Sequence, residues 1–406
     1  MNAVPTPASP LAGIRTLDAL DPAGKRVLVR VDFNVPLADG RVTDDTRLRA
    51  SLTTLRELLE RGAALILCSH LGRPKAADDA FRMRPVGDAL GGLLGRPVRT
   101  LADPIGPTVT AAVAAMRPGD VILLENLRFD PGEKSNDPAF ARALAELADA
   151  YVNDAFGTAH RASASVVGVA ELLPAYAGRL MQRELEVLGR TLDHPERPFA
   201  VILGGAKIGD KIGVIDALLP RADLFLIGGG MANTFFAAAG IAMGDSLVEG
   251  DRLGDARRIR AQAGRKLVLP VDLVIADAFD ASAATRVVSV HGGVPAGWRA
   301  LDIGPTTADV MADQLCDVRT VMWNGPMGVF ELPPFAKGTF AVARTLAGLR
   351  GATTVVGGGD SAAAVQQAGL ADRMTWISTG GGATLEFLEG RTLPAVAALG
   401  AGAREP

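Results

Sequence analysis

Short apolar runs rich in β-branched residues alternate with amphipathic helical stretches along almost the whole chain. Several runs are apolar throughout, which is typical of strands buried on both faces of a parallel sheet. Ten such strands fit two sheets better than one. The pattern therefore predicts an α/β architecture with parallel sheets and crossover helices. The predicted strands are Arg26–Val31, Ala64–Cys68, Val121–Leu124, Ala150–Asn153, Phe199–Leu203, Leu224–Ile227, Lys266–Leu269, Thr320–Trp323, Thr353–Val356 and Thr375–Ser378.

The stretch Arg47–Arg61 shows how clearly the sequence indicates a helix and its two ends. Its leucines recur on one face, as in a helix that packs on a sheet. Asp44, Asp45 and Thr46 stand at its start and Gly62 just past its end, which is favourable capping chemistry. The pattern therefore predicts a helix with definite ends.

One segment separates the two halves of the chain. Gly178–Pro198 begins as a strong helix and ends in a proline-bearing turn. We therefore predict an N-terminal domain over residues 1–180, a linker helix and turn over 181–198, and a C-terminal domain over 199–389.

Composition and charge restrict the class of protein. Of the 406 residues, 48% are hydrophobic and 21% charged, and the formal net charge is −3. This favours a soluble globular protein over a disordered or nucleic-acid-coating one. Cys68 and Cys316 lie in apolar runs and are predicted to be reduced core residues of a cytosolic protein. The residues before Arg15 resemble no signal peptide and predict a short floppy tail.

Five glycine-rich turns follow predicted strands in the second half of the chain. Glycines let backbone N–H groups approach a ligand, and each helix start adds a partial positive charge. One such turn alone is usually only a tight connection, but five together predict a nucleotide-binding surface. Their sequences are LGGAKIGDK, IGGGMANTF, WNGPMGVFE, VVGGGDSAAAV and STGGGATLE.

Neither common nucleotide motif accounts for this surface. The P-loop pattern fails because Gly209 is followed by Asp210 and Lys211, and GxGxxG is absent from the first strand exit of either half. Lysine is scarce, with 7 lysines against 35 arginines, yet Lys207 and Lys211 share one glycine turn. A compact ammonium suits phosphate oxygens, so this turn is predicted to bind phosphates.

The VVGGGDSAAAV turn allows two interpretations of its carboxylate. Gly357–Gly359 would let the backbone meet a polyphosphate at a helix start. Asp360 would then hold Mg²⁺, the usual partner of nucleotide phosphates. A plain helix N-cap explains Asp360 equally well from this stretch alone.

The strand exits of the first half carry different chemistry. If the strands are parallel, their polar groups converge on one edge, and arginines with a histidine there predict a pocket for a small, highly anionic molecule. Arg47 opens the helix after the first exit. The other groups are Asp32, Asn34, His70, Arg73, Arg128, His160 and Arg161.

Taken together, these motifs resemble the phosphoglycerate kinase family from about residue 15 to about residue 398. The resemblance rests on KRVLVRVDFNVP, SHLGRP, ENLRF, NDAFGTAHR, GGAK with DK, LDIGP, WNGPMGVFE, GGGDSAAA and STGGGATLEFLEG, in the family's order and spacing. It implies two doubly wound parallel-sheet domains of similar size separated by a hinged cleft. Residues 1–180 would bind 3-phosphoglycerate, 199–389 would bind the nucleotide, and 390–406 would return to the N-terminal domain.

The resemblance also implies a reaction and its partners. A phosphoryl group would move reversibly between 1,3-bisphosphoglycerate and Mg-ADP, giving 3-phosphoglycerate and Mg-ATP in glycolysis. Transfer would be direct and in line after domain closure, with hinges near Arg179–Leu192 and Thr379. The family implies a cytoplasmic monomer that binds small molecules and neither nucleic acid nor membrane.

Site residues are carried over position by position. The acid substrate would contact Asp32, Phe33, Asn34, Arg47, His70, Leu71, Gly72, Arg73, Arg128 and Arg161. The nucleotide would contact Gly204, Gly205, Lys207, Lys211, Gly228, Gly229, Asn324, Pro326, Glu331, Gly357, Gly358, Gly359, Asp360 and Ser361. The catalytic groups would be Arg47, Lys207, Gly358 and Gly359, with Asp360 holding Mg²⁺.

Few positions depart from the family pattern, and two alternatives remain. Gly209 stands where the family more often has serine or alanine, and the N-terminal tail is somewhat long. A nucleotide-dependent dehydrogenase of the α/β class is one alternative, although GxGxxG is missing. The other is a two-domain protein that closes on a small anion without chemistry, which would not need Lys207, Lys211 and Asp360.

Overall fold

A computed structural model describes residues 11–401 of the chain. The predicted N-terminal tail therefore lies mostly outside the described residues. Within them, the chain forms two compact units. Unit 1 runs to Glu186 and resumes at Thr392, and unit 2 is Val187–Arg391.

Strands and helices alternate along both units. The strands are β1 (Arg26–Arg30), β2 (Leu37–Ala38), β3 (Arg41–Val42), β4 (Ala64–Cys68), β5 (Arg99–Thr100), β6 (Val121–Leu123), β7 (Ala150–Asn153), β8 (Ala175–Ala177), β9 (Phe199–Leu203), β10 (Leu224–Ile227), β11 (Leu267–Val268), β12 (Asp272–Ala276), β13 (Thr285–Ser289), β14 (Arg299–Ile303), β15 (Thr320–Asn324), β16 (Thr353–Gly357) and β17 (Trp376–Ile377). The α-helices are α1 (Thr46–Glu60), α2 (Arg84–Leu94), α3 (Pro107–Ala114), α4 (Gly132–Ser135), α5 (Pro138–Ala145), α6 (Val169–Leu172), α7 (Arg179–Asp193), α8 (Ile212–Leu218), α9 (Gly229–Ala238), α10 (Leu253–Ala263), α11 (Pro305–Leu315), α12 (Lys337–Gly348), α13 (Gly359–Gln367), α14 (Gly382–Leu388) and α15 (Pro394–Ala401).

Unit 1 is built on a six-stranded sheet in the order β5-β6-β4-β1-β7-β8. Every neighbouring pair in it is parallel. Arg30 at the end of β1 lies opposite both Cys68 and Asn153. The residues that follow these strands therefore emerge at one edge of the sheet.

Unit 2 is built on a second six-stranded sheet in the order β11-β10-β9-β15-β16-β17, which is also parallel throughout. Asn324 at the end of β15 lies opposite Leu203 and Gly357. The strand order reverses between β9 and β15, and ligands of open α/β sheets bind at such a reversal. The predicted α/β class with parallel sheets is confirmed.

Some strands of the structure were not predicted, because they do not form apolar runs in the sequence. The ten predicted strands are present with small shifts at their ends. A three-stranded antiparallel sheet in the order β13-β12-β14 was not predicted. Neither was the hairpin formed by β2 and β3, nor the short strands β5 and β8.

Two local expectations need correction. Asp45 occupies the N-cap position of α1, but its carboxylate pairs with Arg49 at 2.8 Å, and it is Asp44 Oδ1 that accepts from the Thr46 N–H at 2.9 Å. Both cysteines are free and Cys68 is buried, which raises the pKa of its thiol to about 12. The prediction that Cys316 is a core residue is wrong, because it lies exposed just past the end of α11.

None of the helices within residues 11–401 has both the length and the apolar character needed to cross a bilayer.

Candidate functional site

The loops after β1 and β4 are tied together at the edge of the unit 1 sheet. The Phe33 N–H donates to Ser69 Oγ at 2.9 Å. The Gly72 N–H donates to Asn34 Oδ1 at 2.8 Å. The two predicted substrate loops are therefore held side by side.

The loop after β6 joins the same arrangement through Asn126. Its Oδ1 accepts from the Leu71 N–H at 3.1 Å, and its Nδ2 donates to the Leu71 carbonyl at 2.8 Å. Arg128 donates to the carbonyl of Gly72. Sequence reasoning did not single out Asn126, whose role is to fix the positions of these neighbours.

Arg47 reaches back from α1 to the exit of β1. Its Nη1 donates to Asp32 Oδ1 at 3.2 Å and to the Asn34 carbonyl at 3.0 Å. The Asp32 side chain is 10% exposed, whereas that of Arg47 is 35% exposed. The guanidinium is thus anchored along one edge and still presents donors to solvent.

His70 is buried between two arginines. Its Nδ1 lies 3.2 Å from Arg30 Nη2, and its Nε2 lies 3.4 Å from Arg161 Nη1. Burial, together with the positive charges of the surrounding arginines, lowers the pKa of His70 well below its usual value. His70 is therefore neutral and offers one ring nitrogen as an acceptor and the other as a donor.

A cavity of about 420 Å³ opens beside His70. Five cationic side chains line it against one carboxylate, that of Glu133. Burial and the nearby Arg161 lower the pKa of Arg128 to about 10. Positive charge that is crowded and partly desolvated favours an anionic ligand. The cationic residues are Arg30, Arg73, Arg128, Lys134 and Arg161.

Sequence reasoning missed two of these cations. Arg30 is only 2% exposed, and its Nε donates to Ser165 Oγ at 2.8 Å. A charged residue at the end of an otherwise apolar strand was the available signal. Lys134 lies on the short helix α4 and carried no such signal.

In unit 2, the glycine turns pack backbone against backbone. The Gly205 N–H donates to the Pro326 carbonyl at 2.8 Å, and the Gly229 N–H donates to the Met327 carbonyl at 3.0 Å. A Cβ on Gly204 would overlap the Pro326 carbonyl oxygen, so no larger residue fits there. Some of the glycines predicted to contact the nucleotide therefore pack one glycine turn against another.

The start of α13 faces the end of β15. Gly358 is the N-cap with φ +90°, and Ser361 Oγ accepts from the Gly325 N–H at 2.6 Å. The alternative that Asp360 is the N-cap is wrong, because this residue lies within the first turn and is exposed. Asn324 Nδ2 is buried without a hydrogen-bond partner among residues 11–401.

The two lysines of the first glycine turn differ in environment. Lys211 is buried and donates to Asn324 Oδ1, and burial lowers the pKa of its ammonium to about 8. Lys207 is exposed and has no hydrogen bond or ion pair within the described part of the chain. Lys207 is therefore available to bind an added anion.

A cavity of about 430 Å³ lies at this edge of unit 2. Predicted nucleotide contacts in its wall are Gly205, Gly229, Pro326, Glu331 and Asp360. Sequence reasoning missed the other wall residues, which include Asn233, Asp245, Leu247, Phe279 and Arg299. Most of these lie outside the glycine motifs, in loops and in strands that were not predicted.

The carboxylates of unit 2 suit a metal ion that is held mainly by the phosphate oxygens of a bound molecule. Over residues 11–401, no group of three or more His, Cys, Asp or Glu side chains could hold a metal. Asp360 offers an exposed carboxylate at the start of α13. Mg²⁺ commonly takes one or two carboxylates and completes its shell with phosphate and water oxygens, so the residues present fit it.

Comparisons with known proteins agree with one another. The family profile described as phosphoglycerate kinase matches residues 17–391. A phosphoglycerate kinase from Chloroflexus aurantiacus is 58% identical over 394 residues, which cover 95% of this chain and 98% of that protein. One from Moorella thermoacetica is 59% identical over 388 residues, with the same coverage.

Solved structures give the same result. Phosphoglycerate kinase from Coxiella burnetii has a TM-score of 0.84 and 38% identity. That from Pyrococcus horikoshii OT3 has a TM-score of 0.86 and 34% identity. Each match covers 95% of this chain and 98% of the solved one. The chain therefore belongs to the phosphoglycerate kinase family and is a glycolytic kinase.

Proposed function

We propose that the chain transfers a phosphoryl group reversibly between 1,3-bisphosphoglycerate and Mg-ADP, giving 3-phosphoglycerate and Mg-ATP. The supporting observation is the excess of positive charge in the unit 1 cavity, where five cations face one carboxylate. A phosphorylated carboxylic acid is the kind of small, multiply charged anion that such a cavity neutralises. The dehydrogenase and the non-catalytic binding protein are set aside, because the chain belongs to a kinase family.

Unit 1 is the proposed site of the acid substrate. Arg128, Arg161 and neutral His70 would bind its phosphate and carboxylate oxygens as donors. Asp32 and Asn34 would orient the substrate hydroxyl and hold Arg47. The remaining proposed contacts are Phe33, Leu71, Gly72 and Arg73, which belong to the same two loops.

Unit 2 is the proposed nucleotide-binding domain. The phosphates would lie at the start of α13, over Gly357–Gly359, and would bind the Lys211 ammonium. The cavity lined by Gly205, Gly229 and Pro326 would take the nucleoside, with Glu331 at its rim. Gly204, Gly228, Asn324 and Ser361 would hold these turns in place.

Asp360 is the residue we propose to hold Mg²⁺. The ion would neutralise negative charge on the nucleotide phosphates. We also propose a cytoplasmic monomer. The free thiols suit a reducing compartment, and the family resemblance supports the monomer.

The chemical step would be a direct in-line transfer. Loose phosphoryl-transfer transition states gain mainly from positioning and charge neutralisation. Arg47 from unit 1 and Lys207 from unit 2 would stabilise the moving group, aided by the N–H groups of Gly358 and Gly359. Closure about α7 and the turn at Thr379 would bring the ligands together and exclude water.

A coupled assay tests this function. Purified protein is given 3-phosphoglycerate and Mg-ATP, and ADP formation is followed while each component is omitted in turn. We expect turnover only in the complete mixture. ADP release without 3-phosphoglycerate at the full rate would indicate an ATPase and contradict the proposal.

The metal role is tested by Asp360→Ala. Loss of the carboxylate should weaken Mg-ADP binding about tenfold or more, while 3-phosphoglycerate binding is kept. Calorimetric titrations with each ligand measure both. Asp372→Ala, which removes an exposed carboxylate outside the cavity, is the matched control. Unchanged Mg-ADP affinity in Asp360→Ala would reject the assignment.

A further inference from the structure

Glu249 has no role in the function proposed so far, yet its side chain holds the glycine turn that carries Lys207. Its Oε2 accepts from the Gly209 N–H at 3.1 Å, across 40 positions of the chain. A hydrogen bond from a backbone N–H to a carboxylate is stronger than one between two neutral groups. The turn is therefore tied firmly to the segment that contains Glu249.

The backbone of Glu249 is itself held in place. Its N–H donates to Thr234 Oγ1 at 3.1 Å, and Thr234, on α9, is 1% exposed. Its carbonyl accepts from the Arg252 N–H at 3.0 Å, in the short turn that precedes α10. The carboxylate thus reaches the glycine turn from a fixed position.

Lys207 lies between two glycines whose backbone is bonded to other segments. The Gly205 carbonyl accepts from the Met231 N–H at 3.0 Å, and the Gly209 N–H donates to Glu249. Glycine has more backbone freedom than any other residue, so a span between two glycines depends on such bonds for its order. Without Glu249, one of these two backbone anchors would be lost.

The charge of Glu249 argues against direct contact with a nucleotide. Glu249 is not part of the wall of the unit 2 cavity. A carboxylate beside nucleotide phosphates would repel them. The property that serves the site is therefore the acceptor oxygen that Glu249 offers to the Gly209 N–H.

We propose that Glu249 is a positioning residue for the phosphoryl transfer, which fixes the glycine turn so that Lys207 meets the transferred group. Glu249 itself contacts neither substrate. This inference rests on the proposed function, because it requires Lys207 to act on the moving phosphoryl group. Displacement of that cation lowers the rate of transfer, while binding of the acid substrate in unit 1 is kept.

Steady-state kinetics of three variants test the proposal. Glu249→Ala should lower kcat about tenfold and keep KM for 3-phosphoglycerate within about twofold. Glu249→Gln keeps an acceptor oxygen and should retain at least about half of the wild-type kcat. Asp251→Ala is the matched control, because it removes a nearby carboxylate that is 78% exposed.

Limited trypsin digestion tests the turn in the absence of any ligand. Cleavage after Lys207 requires the turn to open, so its rate follows the population of the open form. We expect cleavage there to be about fivefold faster in Glu249→Ala than in the wild type and Asp251→Ala, as for the loss of one hydrogen bond. Mass spectrometry identifies the cleaved bond.

The outcomes separate the two proposals. Wild-type kcat in a folded Glu249→Ala protein overturns the positioning role and leaves the kinase function intact. An equal loss of kcat in Glu249→Gln also overturns it, because the charge and not the hydrogen bond would then matter. No turnover in the wild type overturns the proposed function itself.

Gly209→Ala in the Glu249→Ala background provides a rescue. A Cβ on Gly209 would lie 3.0 Å from Glu249 Oε1, and Glu249→Ala removes that neighbour. Gly209 lies outside the left-handed region, so alanine fits its conformation and narrows the freedom of the turn. The double variant should regain about two- to fivefold in kcat over Glu249→Ala. No regain would contradict the link between the order of the turn and turnover.

Glu249→Asp covers a failure of Glu249→Ala to fold. Glu249 is the N-cap of the short helix Gly250–Arg252, and aspartate is a favoured residue at such a position. Its side chain keeps the charge but is one methylene shorter, so it loses the bond to the Gly209 N–H. We expect kcat to fall as in Glu249→Ala, and wild-type kcat in Glu249→Asp would overturn the assignment of Glu249.

Discussion

Arg47 uses only one edge of its guanidinium for the protein. Asp32 and the Asn34 carbonyl take this edge, and the rest stays accessible. In the proposed function, the accessible donors of Arg47 stabilise the charge that develops on the transferred phosphoryl group. Its removal should therefore reduce catalysis far more than stability.

For Arg47→Ala we expect turnover to fall by about 10²–10³ with little change in the free energy of unfolding. Arg49→Ala is the control on the same helix, because the Arg49 side chain is 61% exposed and pairs with Asp45 on the surface. Steady-state kinetics and urea unfolding of both variants measure the two effects. Near-normal turnover in a folded Arg47→Ala protein would refute the role given to Arg47.

Lys211 should make nucleotide binding depend on pH. Burial lowers the pKa of its ammonium to about 8, so the free protein loses this charge as the pH rises through that value. Phosphate oxygens bind the charged form, so Mg-ADP affinity should fall between about pH 7 and about pH 9. Calorimetry at both pH values measures it, and Lys211→Met should bind weakly with no such fall. The same fall in Lys211→Met would assign the effect to another group.

The limits of sequence reasoning are also visible at single residues. Asp32, Asn34 and His70 were predictable, because each follows a strand whose end is marked by its own apolar run. Arg30 was missed, because it lies inside such a run and its burial depends on a serine far along the chain. Arg299 was missed, because the strand that presents it was not predicted.

At the scale of elements, apolar runs predict only strands that are buried on both faces. β13 was missed, because four of its five residues are exposed and no burial pattern remains. β5 has only two residues. The hairpin of β2 and β3 did carry a signal, since Asp39 and Gly40 both have positive φ in its turn.

The first turn of helix α7 donates hydrogen bonds to a buried carboxylate, that of Asp154. Asp154 Oδ1 accepts from the Leu180 N–H at 2.9 Å and from the Met181 N–H at 3.4 Å. Burial raises the pKa of Asp154 from 3.8 to about 7. The folded protein therefore holds this proton more tightly than the unfolded chain, and the free energy of unfolding falls as the pH rises between these values.

Asp154→Asn should remove that dependence, because the amide oxygen still accepts from the helix and the side chain no longer titrates. Relative to the wild type, we expect its free energy of unfolding to rise by up to about 1 kcal/mol per pH unit between pH 4 and pH 7. Urea unfolding across this range measures the difference. A constant difference would show that Asp154 does not titrate there.

At the scale of the whole molecule, each unit has its own sheet and its own buried core. The last described helix, α15, belongs to unit 1, where the Ala395 N–H donates to the Ala159 carbonyl at 3.0 Å. Its Leu399 is 2% exposed. The chain leaves unit 1 after Glu186 and returns at Thr392. The fold of unit 1 is therefore complete only when helix α15 has packed onto it.

Leu399→Ala should destabilise unit 1 by about 2–5 kcal/mol, because a buried leucine leaves a cavity. The 3 tryptophans are Trp298, Trp323 and Trp376, all in unit 2, so their fluorescence reports unit 2 alone. We expect circular dichroism to show an earlier first transition while the tryptophan midpoint stays fixed. Leu172→Ala, at a leucine that is 45% exposed, is the control. An equal shift of the tryptophan midpoint would show that the units unfold together.

The contrast between the two cysteines has a practical consequence. A maleimide dye added to the native enzyme should attach at Cys316 and spare Cys68, so the wild-type chain already carries a unique labelling handle. The same accessible sulfur can couple two molecules during storage in air. A covalent dimer that disappears with dithiothreitol should then be attributed to handling and not to quaternary structure.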